Sequence, residues 1–96
     1  MALSLDLRDQ AARPYFLWDE PHATVASFRD ALMHADEEEK ARLLGKLMRE
    51  ARDEDVWLFT TVAEVRALMP KLDRYLGRRR AFWRYLLDAW QRHGIA

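Results

Sequence analysis

The stretch DEEEKARLLGKLMREAR, Asp36 to Arg52, decides the fold. Asp36 followed by Glu39 has the spacing of a capping box, in which the first side chain accepts from the backbone of the first turn and the second reaches back. Glu37 and Glu38 add negative charge where a helix is electropositive, worth about 0.3–1 kcal/mol per group at a surface. Leu43, Leu44, Leu47, Met48 and Ala51 then recur at three- and four-residue spacing. Residues so spaced share one side of a 3.6-residue turn, so the stretch predicts a helix to about Arg52 that buries a single face.

The same period extends in both directions. Thr24 is placed to cap a helix whose stripe is Val25, Phe28, Ala31, Leu32 and Ala35. Asp53-Glu54-Asp55 caps a short apolar turn, Val56-Trp57-Leu58-Phe59, and Thr61 with Glu64 repeats the capping pair before Val65, Leu68 and Met69. Pro70 has no amide hydrogen, so it is expected to open a new segment carrying Leu72, Tyr75 and Leu76, which Gly77 ends. A last helix, about Arg78 to His93, carries Phe82, Trp83, Leu86, Leu87 and Trp90 on a wide apolar face, with Gly94 as its stop. Leu3, Leu5 and Leu7 alternate with polar residues, but no second strand offers itself, so an isolated arm or frayed terminus is expected. The fold class is therefore all-α, a compact single-domain bundle of about five short helices. Residues 1–12 form a flexible or extended N-terminal arm, and residues 13–96 form the helical domain. Consecutive short helices would also suit helical-repeat packing, although no sequence repeat is clear.

The segment RPYFLWDEP, Arg13 to Pro21, sets four large apolar residues between two prolines. Pro14 and Pro21 should keep it out of regular elements, leaving its aromatics to seek an apolar surface made elsewhere. The face of Phe82, Trp83, Leu86 and Trp90 is the expected one, with the segment as a clasp closing the bundle, and a ligand or partner groove as the alternative.

Composition narrows the function. The chain has 96 residues, half of them apolar and a third charged, which suits one small globular domain. It has no cysteine, which excludes disulfides, thiolate metal sites and a cysteine nucleophile. It shows no apolar run long enough for a membrane span and no leader pattern, so a cytoplasmic location without membrane association is expected. His22, His34 and His93 are widely separated and make no zinc signature, so no metal is expected. The glycines stand singly at 45, 77 and 94, without the clustering that a phosphate-cradling loop requires. Ser4 and Ser27 lack a glycine-framed elbow, and Asp19 and Glu20 suit a helix entry. These residues predict no catalytic group, no cofactor and no enzymatic activity.

Net charge is zero, yet it is unevenly distributed. Residues 1–60 carry eight Lys and Arg against thirteen Asp and Glu, and residues 61–96 carry eight against three. The run Asp36 to Glu39 is explained by helix capping. Arg78, Arg79 and Arg80, with Arg84 one turn on, are not, because they crowd positive charge at the positive end of the last helix. Something negative must meet them. Internal acids (Asp53, Glu54, Asp55 or Asp19), a protein partner and nucleic acid all remain open. As a candidate site, Arg78, Arg79, Arg80 and Arg84 are the partner-binding residues. A nucleic-acid-binding autoregulator would use the same basic end, and four tryptophans keep a homodimer with a buried aromatic interface in view.

Three motifs taken together resemble a group of small prokaryotic helical proteins of uncharacterised function. They are FLWD at 16–19, the pair REA at 49–51 and DVW at 55–57, and LGR at 76–78 leading into the FW and LL of the last helix. The resemblance spans the chain from about Tyr15 onward. It implies a gene encoded beside a nucleotidyltransferase-type toxin of the abortive-infection kind, and so an antitoxin or accessory subunit acting by protein contact. It brings no catalytic residues with it.

Overall fold

The structure, a computed structural model, describes residues 3–20 and 22–94. Two short strands, β1 (Leu3–Ser4) and β2 (Arg13–Pro14), precede five helices: α1 (Val25–His34), α2 (Glu37–Glu50), α3 (Asp53–Val56), α4 (Val62–Leu72) and α5 (Arg80–Arg92). Single 3-10 turns lie at Tyr15–Leu17, Asp73–Tyr75 and Gly77–Arg79. The chain is thus mostly helical, as the periodicity predicts.

Helix α2 is the hub. Asp36 accepts from the Glu39 amide at 2.8 Å, but Glu39 turns to Arg42 and the reciprocal half of the capping box is not made. Ala41, Leu44, Leu47 and Met48 are fully buried. Gly45 is buried among them, and a Cβ there would overlap the Cβ of Tyr75. Its missing side chain lets the Asp73–Tyr75 turn lie directly on α2.

Helix α1 shows why the N-terminal residues are not a free arm. The first four N–H groups of a helix lack intrahelical partners and must be met from outside the repeating ladder. Here Val25 donates to the Ala12 carbonyl at 3.0 Å and Ala26 to that of Gln10 at 2.9 Å. Ser27 donates to the Thr24 hydroxyl at 3.0 Å, and Phe28, donating to the Thr24 carbonyl at 3.0 Å, opens the ordinary ladder. The Ser27 hydroxyl accepts in return from the Thr24 amide, so the cap is reciprocal. Leu7 is buried, and Leu3–Ser4 pairs in parallel with Arg13–Pro14. The alternation that begins at Leu3 therefore does find a strand partner, and the mostly helical fold carries this small two-stranded ribbon in addition.

Two proline expectations also change. Pro70 sits inside α4 instead of opening a segment. It lies near the helix end on the exposed side, where the carbonyl it frees one turn back can be hydrated. Pro14 ends β2 and leads straight into the Tyr15–Leu17 turn, where its missing N–H is not needed. Pro21 lies outside the described residues.

The aromatic clasp closes on a different surface from the one expected. Phe16 is fully buried and meets Phe28 and Phe59 edge-to-face, with ring centroids at 5.2 and 5.6 Å, while Phe28 and Phe59 stand 5.2 Å apart. This three-ring cluster joins the Tyr15–Leu17 turn to α1 and to the segment after α3. The face of α5 is already occupied: Trp83 packs against Trp57 at 5.8 Å, and Trp57 against Trp90 at 5.5 Å. Trp18 remains exposed beside Lys46, which also pairs with Asp19.

Candidate interaction surface

The end of α2 explains part of the arginine cluster. Carbonyls in the last turn of a helix need donors from elsewhere, and cations are favoured there by the helix dipole. Trp83 donates its indole N–H to the Met48 carbonyl at 2.8 Å, and Arg79 donates to that of Ala51, also at 2.8 Å. The Arg79 guanidinium lies over the rings of Phe82 and Trp83, 4.7 and 5.7 Å from their centroids. Its charge therefore sits at the negative end of α2.

Arg80 and Arg84 meet Asp73, not the acids expected from sequence. Arg84 makes a two-pronged contact with that carboxylate, at 2.7 and 2.6 Å. Arg80 reaches the carboxylate at 3.3 Å and the Asp73 carbonyl at 3.2 Å. Three of the expected compensating acids are engaged elsewhere: Asp55 with Tyr15 and Arg52, Glu54 with Arg52, and Asp19 with Lys46. The helix starts at Arg80, two residues later than its period suggested, because Gly77 at φ +55° turns the chain into a separate 3-10 turn.

The acidic start of α2 is answered in the same way. Glu37 pairs with Lys71 at 3.7 Å, and Glu38 pairs with Arg74 and accepts from the Tyr75 hydroxyl at 2.8 Å. Much of the acidic-to-basic division along the chain thus closes on itself across α2 and the end of α4.

Arg78 is the exception within the cluster. It is exposed, with no ion-pair or hydrogen-bond partner for its guanidinium among the described residues. Beyond it on α5, Phe82 is 39% and Tyr85 67% exposed. With Ala89 and Arg92 they recur at helical spacing away from the buried Trp83 and Leu87. Tyr85 is a residue that the charge argument overlooks, yet its offset from Trp83, Leu87 and Trp90 is legible in the sequence. The described residues contain no group of three or more His, Asp or Glu placed to hold a metal ion, and no helix long and apolar enough to cross a membrane.

Elsewhere, several ionisable groups depart from their ordinary ranges, among them Tyr15, Asp19 and Glu64. Burial, with the Asp55 hydrogen bond adding to it, pushes the Tyr15 phenol up. The Lys46 hydrogen bond holds Asp19 low. Glu64 is raised by desolvation, but Lys40 and the Thr60 hydroxyl together outweigh this and hold it low.

The chain matches no protein-family model, no curated protein and no solved structure. By fold it is a small, mostly helical protein whose last helix exposes Phe82 and Tyr85.

Proposed function

We propose that the protein is an interaction module that engages an acidic protein partner through the outer face of α5. The observation that carries this reading is Arg78, in the turn that leads into α5, exposed and without an ion-pair or hydrogen-bond partner among the described residues, with exposed Phe82 and Tyr85 following on the helix. Aromatic residues and arginine are the side chains enriched at the energetic centres of protein interfaces. An acidic surface would compensate the Arg78 guanidinium, which a second copy, whose Arg92 already holds its own Asp88 at 3.3 Å, is less well placed to do.

The motif resemblance supplies the partner class, a nucleotidyltransferase-type toxin, with this chain as antitoxin or accessory subunit. In that pairing Arg78 would face carboxylates at the partner's metal-binding active site, and Arg80 and Arg84 would lend long-range attraction.

The test is co-expression and pull-down with the product of the adjoining reading frame. Arg78→Glu and Tyr85→Ala should each weaken association about tenfold or more while leaving thermal stability unchanged. Equal affinity for both variants and the parent would overturn the reading. Arg79 is unsuitable for this purpose, since its loss would also uncap α2. A nucleic-acid reading draws on the same arginines and on the exposed Tyr85, whose ring suits base stacking. It predicts single-strand binding that falls steeply with salt, and no binding at low salt would remove it.

A further inference from the structure

Arg49, Arg78 and Arg79 line one cleft beside Gly77, with Glu50 as the one carboxylate in its wall. From this convergence we infer a phosphoryl-group site, one that takes the terminal phosphate of a small molecule such as a diphosphate or a nucleotide.

Three features support it. The first is fixed geometry: Arg49 donates to the Tyr75 carbonyl and Arg79 to that of Ala51, both at 2.8 Å. Arg49 is thus held through two of its N–H groups, to the Tyr75 carbonyl and the Glu50 carboxylate, and Arg79 through one, and each keeps further N–H groups to spare, since arginine carries five donors. The second is room. Gly77 has φ +55°, and a Cβ there would press on Cδ of Arg49 at 3.1 Å, so glycine allows the arginine to lie across the turn. The third is charge. Glu50 pairs with Arg49 at 3.2 Å, which leaves the cleft with a surplus of two positive charges. One carboxylate would neutralise half of that surplus. A phosphate carries about −1.5 to −2 at neutral pH and presents three acceptor oxygens, so it matches both the charge and the fork geometry of arginine.

This site does not depend on the partner proposal, which rests on Tyr85 and Phe82 as well. The experiment is calorimetric titration of the full chain at low ionic strength with inorganic pyrophosphate, AMP and citrate. Saturable binding of pyrophosphate and AMP at one site is expected, weakened about tenfold or more in Arg78→Gln and little changed in Arg84→Gln. Arg78 is exposed and has no ion-pair or hydrogen-bond partner among the described residues, so its variant should fold. Pyrophosphate binding without AMP would still support the inference and restrict the ligand to free phosphates. Three outcomes would overturn it: no saturation, equal weakening by Arg84→Gln, or citrate binding as tightly as pyrophosphate. Tyr85→Ala should leave pyrophosphate binding intact, which separates this result from failure of the partner proposal.

Discussion

The Tyr15 hydroxyl stands 2.6 Å from the Asp55 carboxylate, to which it donates across forty positions of sequence. The same oxygen accepts from the Arg52 amide at 2.7 Å, and Arg52 itself reaches Asp55 at 3.0 Å. Asp55 is buried, so its charge is tolerated through these two partners. Tyr15→Phe removes a donor from the carboxylate and an acceptor from a backbone amide. It should cost about 1–3 kcal/mol in urea unfolding.

That site also sets an alkaline limit. The folded pKa of Tyr15 lies above the ordinary value of 10.0, raised first by burial and then by Asp55, so folding favours the neutral phenol. Its contribution is complete below the unfolded value and is lost as pH rises through the folded one. The stability gap between the parent and Tyr15→Phe should therefore narrow above about pH 10. Unfolding curves collected from pH 8 to 11 would show it.

An acid limit follows from Glu64, held below its ordinary 4.5 once Lys40, at 2.7 Å, and Thr60, at 2.6 Å, outweigh desolvation. A lowered carboxylate stabilises the fold above its unfolded pKa, and that stabilisation disappears as pH falls through the folded value. Lys40→Met should flatten the loss of stability below about pH 4.5 compared with the parent. An unchanged acid limb would assign that loss to other carboxylates.

Gly45→Ala tests the closeness of α2 to the turn at Tyr75. In an ordinary helix interior alanine would stabilise by roughly 0.5–1 kcal/mol. Here the new methyl meets the Cβ of Tyr75, which cannot swing aside without its backbone. Overpacking of this kind costs about 1–3 kcal/mol, so the net effect should be destabilising and visible as a lower Tm.

Asp73→Asn addresses the arginine clamp. The two arginines it frees are about half exposed, so stability should change by less than about 1 kcal/mol. Association with an acidic partner should become faster and more salt-dependent, read by stopped flow at two ionic strengths.

Helices were legible wherever a cap and a stripe coincide, as at Thr24, Asp36 and Thr61, because both signals are local. Pro70 misled because proline disfavours a helix interior in general, while the site that tolerates it is defined by exposure. The Leu3–Ser4 pairing was hidden for a different reason: its partner is a parallel segment of two residues, too short to leave a period. The destination of Phe16 depended on which ring surface other side chains leave open, and Trp57 had already taken that of α5. Among the arginines, sequence marked a charge anomaly but could not assign its partners. Asp73 lies seven residues before Arg80, close enough to have been considered, whereas the Ala51 carbonyl that Arg79 meets has no signature in a side-chain reading.

Residues 48–52 receive attachments from both directions of the chain: Trp83 on Met48, Arg79 on Ala51, and the Tyr15 hydroxyl on the Arg52 amide. Fraying of this one helix end would release the aromatic segment and the last helix together. Native-state hydrogen exchange should then find α2, the Tyr15 turn and α5 sharing one opening free energy, not a ladder of separate ones. The amide of Arg52, bonded to a side chain instead of a helix carbonyl, is the single probe whose protection reports on all three.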